Sequence, residues 1–481
     1  MILIPALGGP ERKIAEMSKE RPELPGPYLA WSPDGNFLVI SDRDSLTGPF
    51  ALFLLSIETG EKRRLTSPPP SLVGDTGPAF SPDGHTLAFS RRVDFDYGLG
   101  DLYLLNLLTA SDGLKPAGEV KRITFENHGA RSPAWTSDGR EIVFSDRLGV
   151  SRISATATAQ PRQITSFGGN IDTLTISRHR QRLIYVHYIV HSKVWRLITP
   201  VVEENRDRGH RKTVQTGSSA VSFISSTRND SAPQYSRDGK KVAFMSDRSG
   251  NPEIWSCDSD GSNALQLTSF GGPQVTTPRW SPDGTRIAFD SDAEGEYDIW
   301  VIGANGGKPQ RMTTHPANDG NPSWSRDGRW IYFDSARTGT QQVWKMPATG
   351  GEAIQVTRDG GFAPLESTDG KFLYYLKSLN DTAIWRIPIE SGQATMVLEG
   401  LSEYRNLAVL ESGLVFVPNR NTSSLQFLSF ATGKVAPLAN FDRPIGVGPF
   451  NGLAVSPDAR SILYTQFEQA GNELMLVENF R

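Results

Sequence analysis

Thr277-Pro-Arg-Trp280-Ser-Pro-Asp283-Gly284-Thr-Arg286-Ile-Ala-Phe289 is the stretch from which the fold of this chain can be read. Proline followed by Asp-Gly is the chemistry of a tight turn. Arg286-Ile-Ala-Phe289 then alternates as a strand does. A polar, glycine-containing turn over 292–296 leads to a third strand, Tyr297-Asp-Ile-Trp-Val-Ile302. Asn305-Gly306-Gly307 suits a hairpin that needs positive φ, and Pro309-Gln-Arg-Met-Thr313 is a fourth strand. No helical periodicity separates the strands, so the unit is a four-stranded antiparallel sheet.

The phrase recurs. Trp31-Ser-Pro-Asp34-Gly35, Phe80-Ser-Pro-Asp83-Gly84, Trp135-Thr-Ser-Asp138-Gly139, Tyr235-Ser-Arg-Asp238-Gly239 and Trp324-Ser-Arg-Asp327-Gly328 are clear copies. Glu366-Ser-Thr-Asp369-Gly370 and Val455-Ser-Pro-Asp458-Ala459 are weaker, and degenerate copies fall at Ser177-Arg-His-Arg180 and Glu411-Ser-Gly413. From Asp238 the steps are 45, 44 and 42 residues, the period of propeller blades. The predicted fold is an all-β propeller. Of ten tryptophans, four precede the turn and five (Trp195, Trp255, Trp300, Trp344, Trp385) sit in third strands, with Trp330 in a second strand. Equivalent large aromatics suit packing between blades.

Composition agrees. Glycine (46) and proline (32) make up roughly one residue in six, a turn-rich chain that still carries 37% hydrophobic residues for a core. A net charge of −3 disfavours direct binding of nucleic acid, which calls for a basic surface. The single cysteine, Cys257, excludes an intrachain disulfide framework and a cysteine-rich zinc site. No apolar run reaches the length of a membrane helix. Met1-Ile-Leu-Ile-Pro reads as strand, not as a signal peptide, with Lys13 where a signal would place its apolar core.

The ends set the phase. Met1-Ile-Leu-Ile-Pro5 reads as a third strand and Arg12-Lys-Ile-Ala15 as a fourth, while Glu473-Leu-Met-Leu-Val-Glu478 reads as a third strand of the last unit. One ten-bladed ring is conceivable, but propellers commonly have four to eight blades. Ser222-Phe-Ile-Ser-Ser-Thr227 offers the missing fourth strand for a ring of six blades over 222–481. Residues 200–221 would then be a polar linker, and 1–199 an incomplete N-terminal propeller of about four and a half blades. Starting in mid-blade suggests further residues upstream.

The repeat resembles the TolB-like, WD40-type propeller repeat: Trp-Ser-Pro-Asp-Gly, Ile-Ala-Phe, Ser-Asp-Arg, Asp-Ile-Trp, Gly-Gly, Leu-Thr. Ile4-Pro-Ala-Leu-Gly-Gly-Pro-Glu-Arg12, Phe223-Ile-Ser-Ser-Thr-Arg228, Cys257-Asp-Ser-Asp-Gly-Ser-Asn263 and Leu476-Val-Glu-Asn-Phe-Arg481 resemble, more narrowly, the C-terminal sensor half of bacterial winged-helix transcriptional regulators. Those carry a winged helix, one membrane helix and two six-bladed propellers. The resemblance implies a periplasmic location and envelope sensing or protein interaction.

Candidate chemistry is sparse. Gly-x-Ser-x-Gly is absent, and no α/β segment follows to house a triad. His187 and His191 lie four apart on a strand, about 13 Å, too far for one metal. Asp258-Ser-Asp260-Gly-Ser-Asn263 lacks the last glutamate of a calcium loop and occupies a hairpin slot. Neither a metal nor a cofactor is expected. Ser-Asp-Arg triplets at 41–43, 145–147 and 246–248 follow second strands. There Asp would cap the next turn and Arg would pair with a neighbouring blade. Loops from fourth to first strands should carry binding, which makes His315, Asp319, Arg358, Asp359 and Phe362 the expected partner contacts. The reading is a non-enzymatic scaffold for a protein or peptide partner. A sugar- or small-ligand sensor and a hydrolase or lyase propeller are the alternatives.

Overall fold

The computed structural model describes residues 1–480 except 5–8, 18–27, 46–47, 71, 94–99, 111–112, 126–128, 147–148, 157–159, 165–170, 178–181, 199–219, 379–380, 420–421 and 447–451. Nearly all of the expected linker, Arg147 and the degenerate turn at 178–180 lie outside the described residues. The described residues contain no α-helix; a single 3₁₀ turn spans Tyr404–Asn406. Strands are organised as successive antiparallel sheets, consistent with a β-propeller.

Two compact units divide the chain: Met1–Ile189 with Gly471–Arg481, and Val190–Ala470. In the first, the hairpin Ile2–Leu3 with Arg12–Lys13 precedes sheets beginning at Leu29–Trp31, Gly74–Phe80, Arg131–Trp135 and Ile171–Ile176. In the second, four-stranded sheets begin at Asp230–Tyr235, Val275–Trp280, Asp319–Trp324, Phe362–Glu366 and Leu407–Val409. In the quoted unit the strands are Val275–Trp280, Arg286–Glu294, Glu296–Gly303 and Gln310–Arg311, paired in that order.

The turn is built the same way each time. Ser281 Oγ donates to Asp283 Oδ1 at 2.5 Å, and that oxygen accepts Thr285 N–H at 3.0 Å. Ser281 Oγ accepts Arg286 N–H at 2.9 Å. Ser236–Asp238, Ser325–Asp327, Ser367–Asp369 and Ser456–Asp458 repeat the bond between serine and aspartate. Such donors favour the ionised acid, and the Ser281 hydroxyl foremost holds the Asp283 carboxyl down at about 2. Gly284 supplies φ +70°, whereas the last copy forces Ala459 to φ +56°.

The sheet that closes the second unit differs from the expected assembly. Leu453–Val455 pairs with the start of the long strand Ser461–Val477, and the end of Leu183–Ile198 pairs with Ala220–Ile224. These two long strands are neighbours in one sheet. Its third strand is therefore the 190–198 segment, not Glu473–Glu478. The tail belongs to the first unit, where Arg182 Nη2 meets Glu478 Oε1 at 2.6 Å and Val477 and Phe480 pack with Leu174 and Leu183. Burial is the physical reason. Val194 and Leu197 are fully apolar partners for Leu463 and Tyr464, whereas Leu474, Met475 and Leu476 stay exposed.

A fragment spanning 190–470 retains Val194 and Leu197, and one spanning 222–481 lacks them. The shorter closure should melt at least several degrees lower in a calorimetric comparison; equal melting would refute this strand assignment. Separately, Ala459→Gly removes about 1–2 kcal/mol of left-handed strain at an unfolded-state entropy cost of about 0.4–1 kcal/mol. A net gain of about 0.5 kcal/mol is expected in urea unfolding, against a loss for Gly284→Val.

Candidate binding channel

The first strands of four sheets in the second unit each contain a residue in left-handed conformation followed by proline: Ala232-Pro233, Thr277-Pro278, Asn321-Pro322 and Ala363-Pro364. Their φ values are +50° or +51°. At each one the register with the second strand shifts. Proline cannot donate to the ladder, so it belongs at such a bulge. The residues after proline, Gln234, Arg279, Ser323 and Leu365, all line one cavity of about 900 Å³.

That cavity lies within the second unit and reaches the Ser-x-Asp-Gly turns, where Ser236, Arg237, Ser281, Pro457 and Ala459 contribute to its wall. Backbone and side chain lock the lining together. Gln234 Oε1 accepts Trp280 N–H at 2.5 Å, and Trp324 Nε1 donates to Arg279 O at 2.9 Å. Tyr235 and Ser461 hydroxyls meet at 2.8 Å. Glu366 Oε1 accepts Arg326 N–H at 3.0 Å, while Arg326 Nε donates to Ser367 O. Burial pushes the Glu366 carboxyl up against the opposing pull of the Arg326 N–H. Burial likewise lowers the Arg326 pKa, and the nearby Arg237 charge adds to this.

At the other end of the sheets the polar groups serve the frame. Arg337 Nη2 bonds both oxygens of Asp319, at 2.8 and 2.7 Å, and its guanidinium lies over Phe333 and Trp344. Arg248 Nη2 bonds one oxygen of Asp230, at 2.6 Å, and its guanidinium lies over Phe244 and Trp255. Arg248, of the Ser-Asp-Arg triplet at 246–248, thus pairs inside its own sheet, not with a neighbouring blade. Eighteen residues back, the first strand places an aspartate beside it. Asp247 closes the turn after it through its backbone, its O accepting Gly250 N–H at 2.9 Å, while its carboxylate accepts Asn229 N–H and Nδ2. Links between adjacent sheets run through other acids. Asp290 Oδ2 accepts Asn321 N–H, and Asp334 Oδ2 accepts Ala363 N–H, both at 2.9 Å. Burial pushes the Asp334 carboxyl up to about 7 against three N–H donors. At the hairpin 258–263, Asp258 Oδ2 accepts Asn263 Nδ2 and Asp260 Oδ1 accepts Ser262 N–H, which is turn chemistry.

Two of the five residues expected at an exposed contact patch are buried. Asp319 is fully buried in its ion pair with Arg337, and Phe362 is buried with its ring edge-on to Tyr404 at 4.8 Å. Both open first strands, Asp319–Trp324 and Phe362–Glu366, so they belong to the frame. His315, Arg358 and Asp359 are exposed; His315 Nδ1 accepts Ala317 N–H and Asp359 pairs with Lys377 at 2.6 Å. The channel lining was legible in principle, because Pro recurs two residues before Phe80, Trp135, Tyr235, Trp280, Trp324 and Glu366.

Residues 266–436 match the TolB beta propeller domain. A curated relative, the uncharacterized peptidase YuxL of Bacillus subtilis (strain 168), is 29% identical over 148 residues, covering 24% of this chain and 21% of that protein. The chain thus spans about a fifth of the length of the curated relative it matches. The solved TolB of Acinetobacter baumannii is 14% identical, covering 92% of this chain and 82% of that one, with a TM-score of 0.28. A chain of a nidogen/laminin complex is 13% identical over 52% of this chain and 93% of its own, with a TM-score of 0.40. A TolB-like β-propeller domain is therefore present. Among the described residues no helix is long and apolar enough to cross a membrane.

Phe362→Ala should cost about 3–5 kcal/mol, as truncation of a buried aromatic does, whereas Arg358→Ala should stay within about 0.5 kcal/mol. Chemical unfolding of the two variants checks this, and an unaltered midpoint for Phe362→Ala would contradict its burial.

Proposed function

We propose that this chain is a non-enzymatic propeller scaffold that binds a protein or peptide segment at the channel of its second unit. The observation that carries the reading is the 900 Å³ cavity walled by consecutive first strands. It is framed by hydrogen bonds that fix its shape before any partner arrives, and preformed concavities of this size suit ligand capture. The match of 266–436 to the TolB beta propeller domain supports an interaction role. The buried acids we have placed, Asp230, Asp290, Asp319 and Asp334, already serve ion pairs or backbone N–H groups, which fits a frame better than a reaction centre. We further read the second unit as a closed ring of six blades. The motif resemblance at 223–228 and 476–481 favours a sensor of the bacterial envelope as its setting.

Peptides selected from a random display library on the intact chain test this. They should compete with one another, and an exposed mouth substitution, Ser412→Trp, should weaken them at least about tenfold without changing the melting temperature. Selected peptides indifferent to Ser412→Trp would move the site elsewhere. Peptide or ester hydrolysis abolished by one Ser or His replacement would overturn the non-enzymatic reading.

A further inference from the structure

Fourth strands are held to third strands in one recurring way. Four third strands carry an acid or amide near their start: Asp101, Glu253, Asp298 and Gln342. In each sheet a threonine just past the fourth strand donates its hydroxyl to that side chain, at 2.5 to 3.0 Å. The same hydroxyl accepts the next N–H of the third strand, as Ile299 N–H meets Thr313 Oγ1 at 3.0 Å. Two residues before the threonine, Arg122 pairs with Asp101 and Arg311 with Asp298. Gln266 and Gln355 hold the corresponding place in the other two sheets. The residue between is apolar, and Ile123 and Leu267 are buried there. Fourth strands are thus recognised by the pattern Arg or Gln, apolar, Thr.

Glu473-Leu-Met-Leu-Val-Glu478 repeats the third-strand pattern, with Glu473 in the place of Glu253 and Asp298. It lies at the end of the long strand Ser461–Val477, whose neighbours are Leu183–Ile198 and Leu453–Val455. Leu453–Val455 pairs with residues 462–464 only. From there on, the described residues give the strand a neighbour on one edge alone. The Glu473 side chain is exposed and has no hydrogen bond or ion pair among the described residues. Leu474 and Leu476 are 73% and 54% exposed, whereas Ile299 and Val301, in the corresponding places, are buried. Residues 471–478 contain neither lysine nor proline, the usual guards of an open edge.

We propose that this edge of the first unit takes an extended segment of a partner polypeptide that reads Arg-apolar-Thr, added antiparallel as a fourth strand. The arginine lies opposite Met475, as Arg311 lies opposite Trp300, and pairs with Glu473. The threonine hydroxyl bridges the Glu473 carboxylate and the Leu474 N–H. Main-chain bonds supply affinity and these side chains supply selectivity, as in strand addition generally. Charge complementarity selects the occupant, since a second copy of this strand would bring Glu473 and Glu478 to an edge already acidic.

Fluorescence anisotropy of the full chain with a labelled peptide tests this. The parent peptide is Gly-Val-Lys-Arg-Ile-Thr-Phe-Gly-amide, the sequence of residues 120–125 between glycines. Its relatives carry Glu for Arg, Val for Thr, or N-methyl groups on alternate amides. The parent should bind. The Glu and Val relatives should bind about tenfold or more weakly, because bonds to a charged group are worth that much, and the N-methyl relative should not bind. Glu473→Lys should lose the parent, favour the Glu relative and keep its melting temperature. Ser412→Trp, at the channel of the second unit, should leave this binding unchanged, which separates the edge from the channel reading. Parent binding that Glu473→Lys leaves intact, or that Ser412→Trp abolishes, overturns the proposal. Equal binding of the parent and its Glu and Val relatives does so as well. Binding of no peptide also overturns it; if sedimentation then shows a dimer that Leu474→Glu dissolves, the edge serves a second copy instead.

Discussion

A four-stranded sheet has two apolar faces, and neither can be covered by the sheet itself. That constraint organises the second unit. Phe289 and Ile287 pack with Trp280 and Trp300 on one side, while Ala288, Ile299 and Val301 pack with Phe333 and Trp344 of the next sheet on the other. Each sheet is thus the cover of its neighbour, and the array needs cover at both ends. The chain meets this need with residues far apart in sequence: Val194 and Leu197 beside Leu463 and Tyr464. Apolar burial at about 25 cal/mol per Å² makes this closure far more valuable than the ladder bonds it adds.

Within that arrangement the two ends of each sheet have separate work. At one end, arginine, aspartate and stacked aromatics lock loops to strands through buried ion pairs. Such pairs contribute little net stability, but losing one partner strands a buried charge. At the other end, the Ser-x-Asp-Gly turns surround a cavity whose side chains follow the proline bulge. The bulge matters because it shifts the pairing register. Gln234, Arg279, Ser323 and Leu365 thereby come to line the channel. The local rule of one residue, proline, so connects backbone strain to the chemistry of the channel.

The sequence by itself determined the sheet unit, its repeat and the residues of its turns. Those depend on contacts within a few residues: Ser281 with Asp283, Asp283 with Thr285, and a left-handed Gly284. It also placed nine of the ten tryptophans in first or third strands, since each position follows from its distance to a turn. Tertiary structure alone decided which strand completes which sheet, because Val194 and Glu473 lead equally strand-like segments and only burial against Leu463 separates them. It alone decided that Asp319 and Phe362 belong to the core, since a loop end and a strand start differ by a residue or two that local pattern does not resolve. And it alone brought Gln234, Arg279, Ser323 and Leu365 to one cavity, because proximity in the channel is set by how sheets pack, which no spacing along the chain encodes.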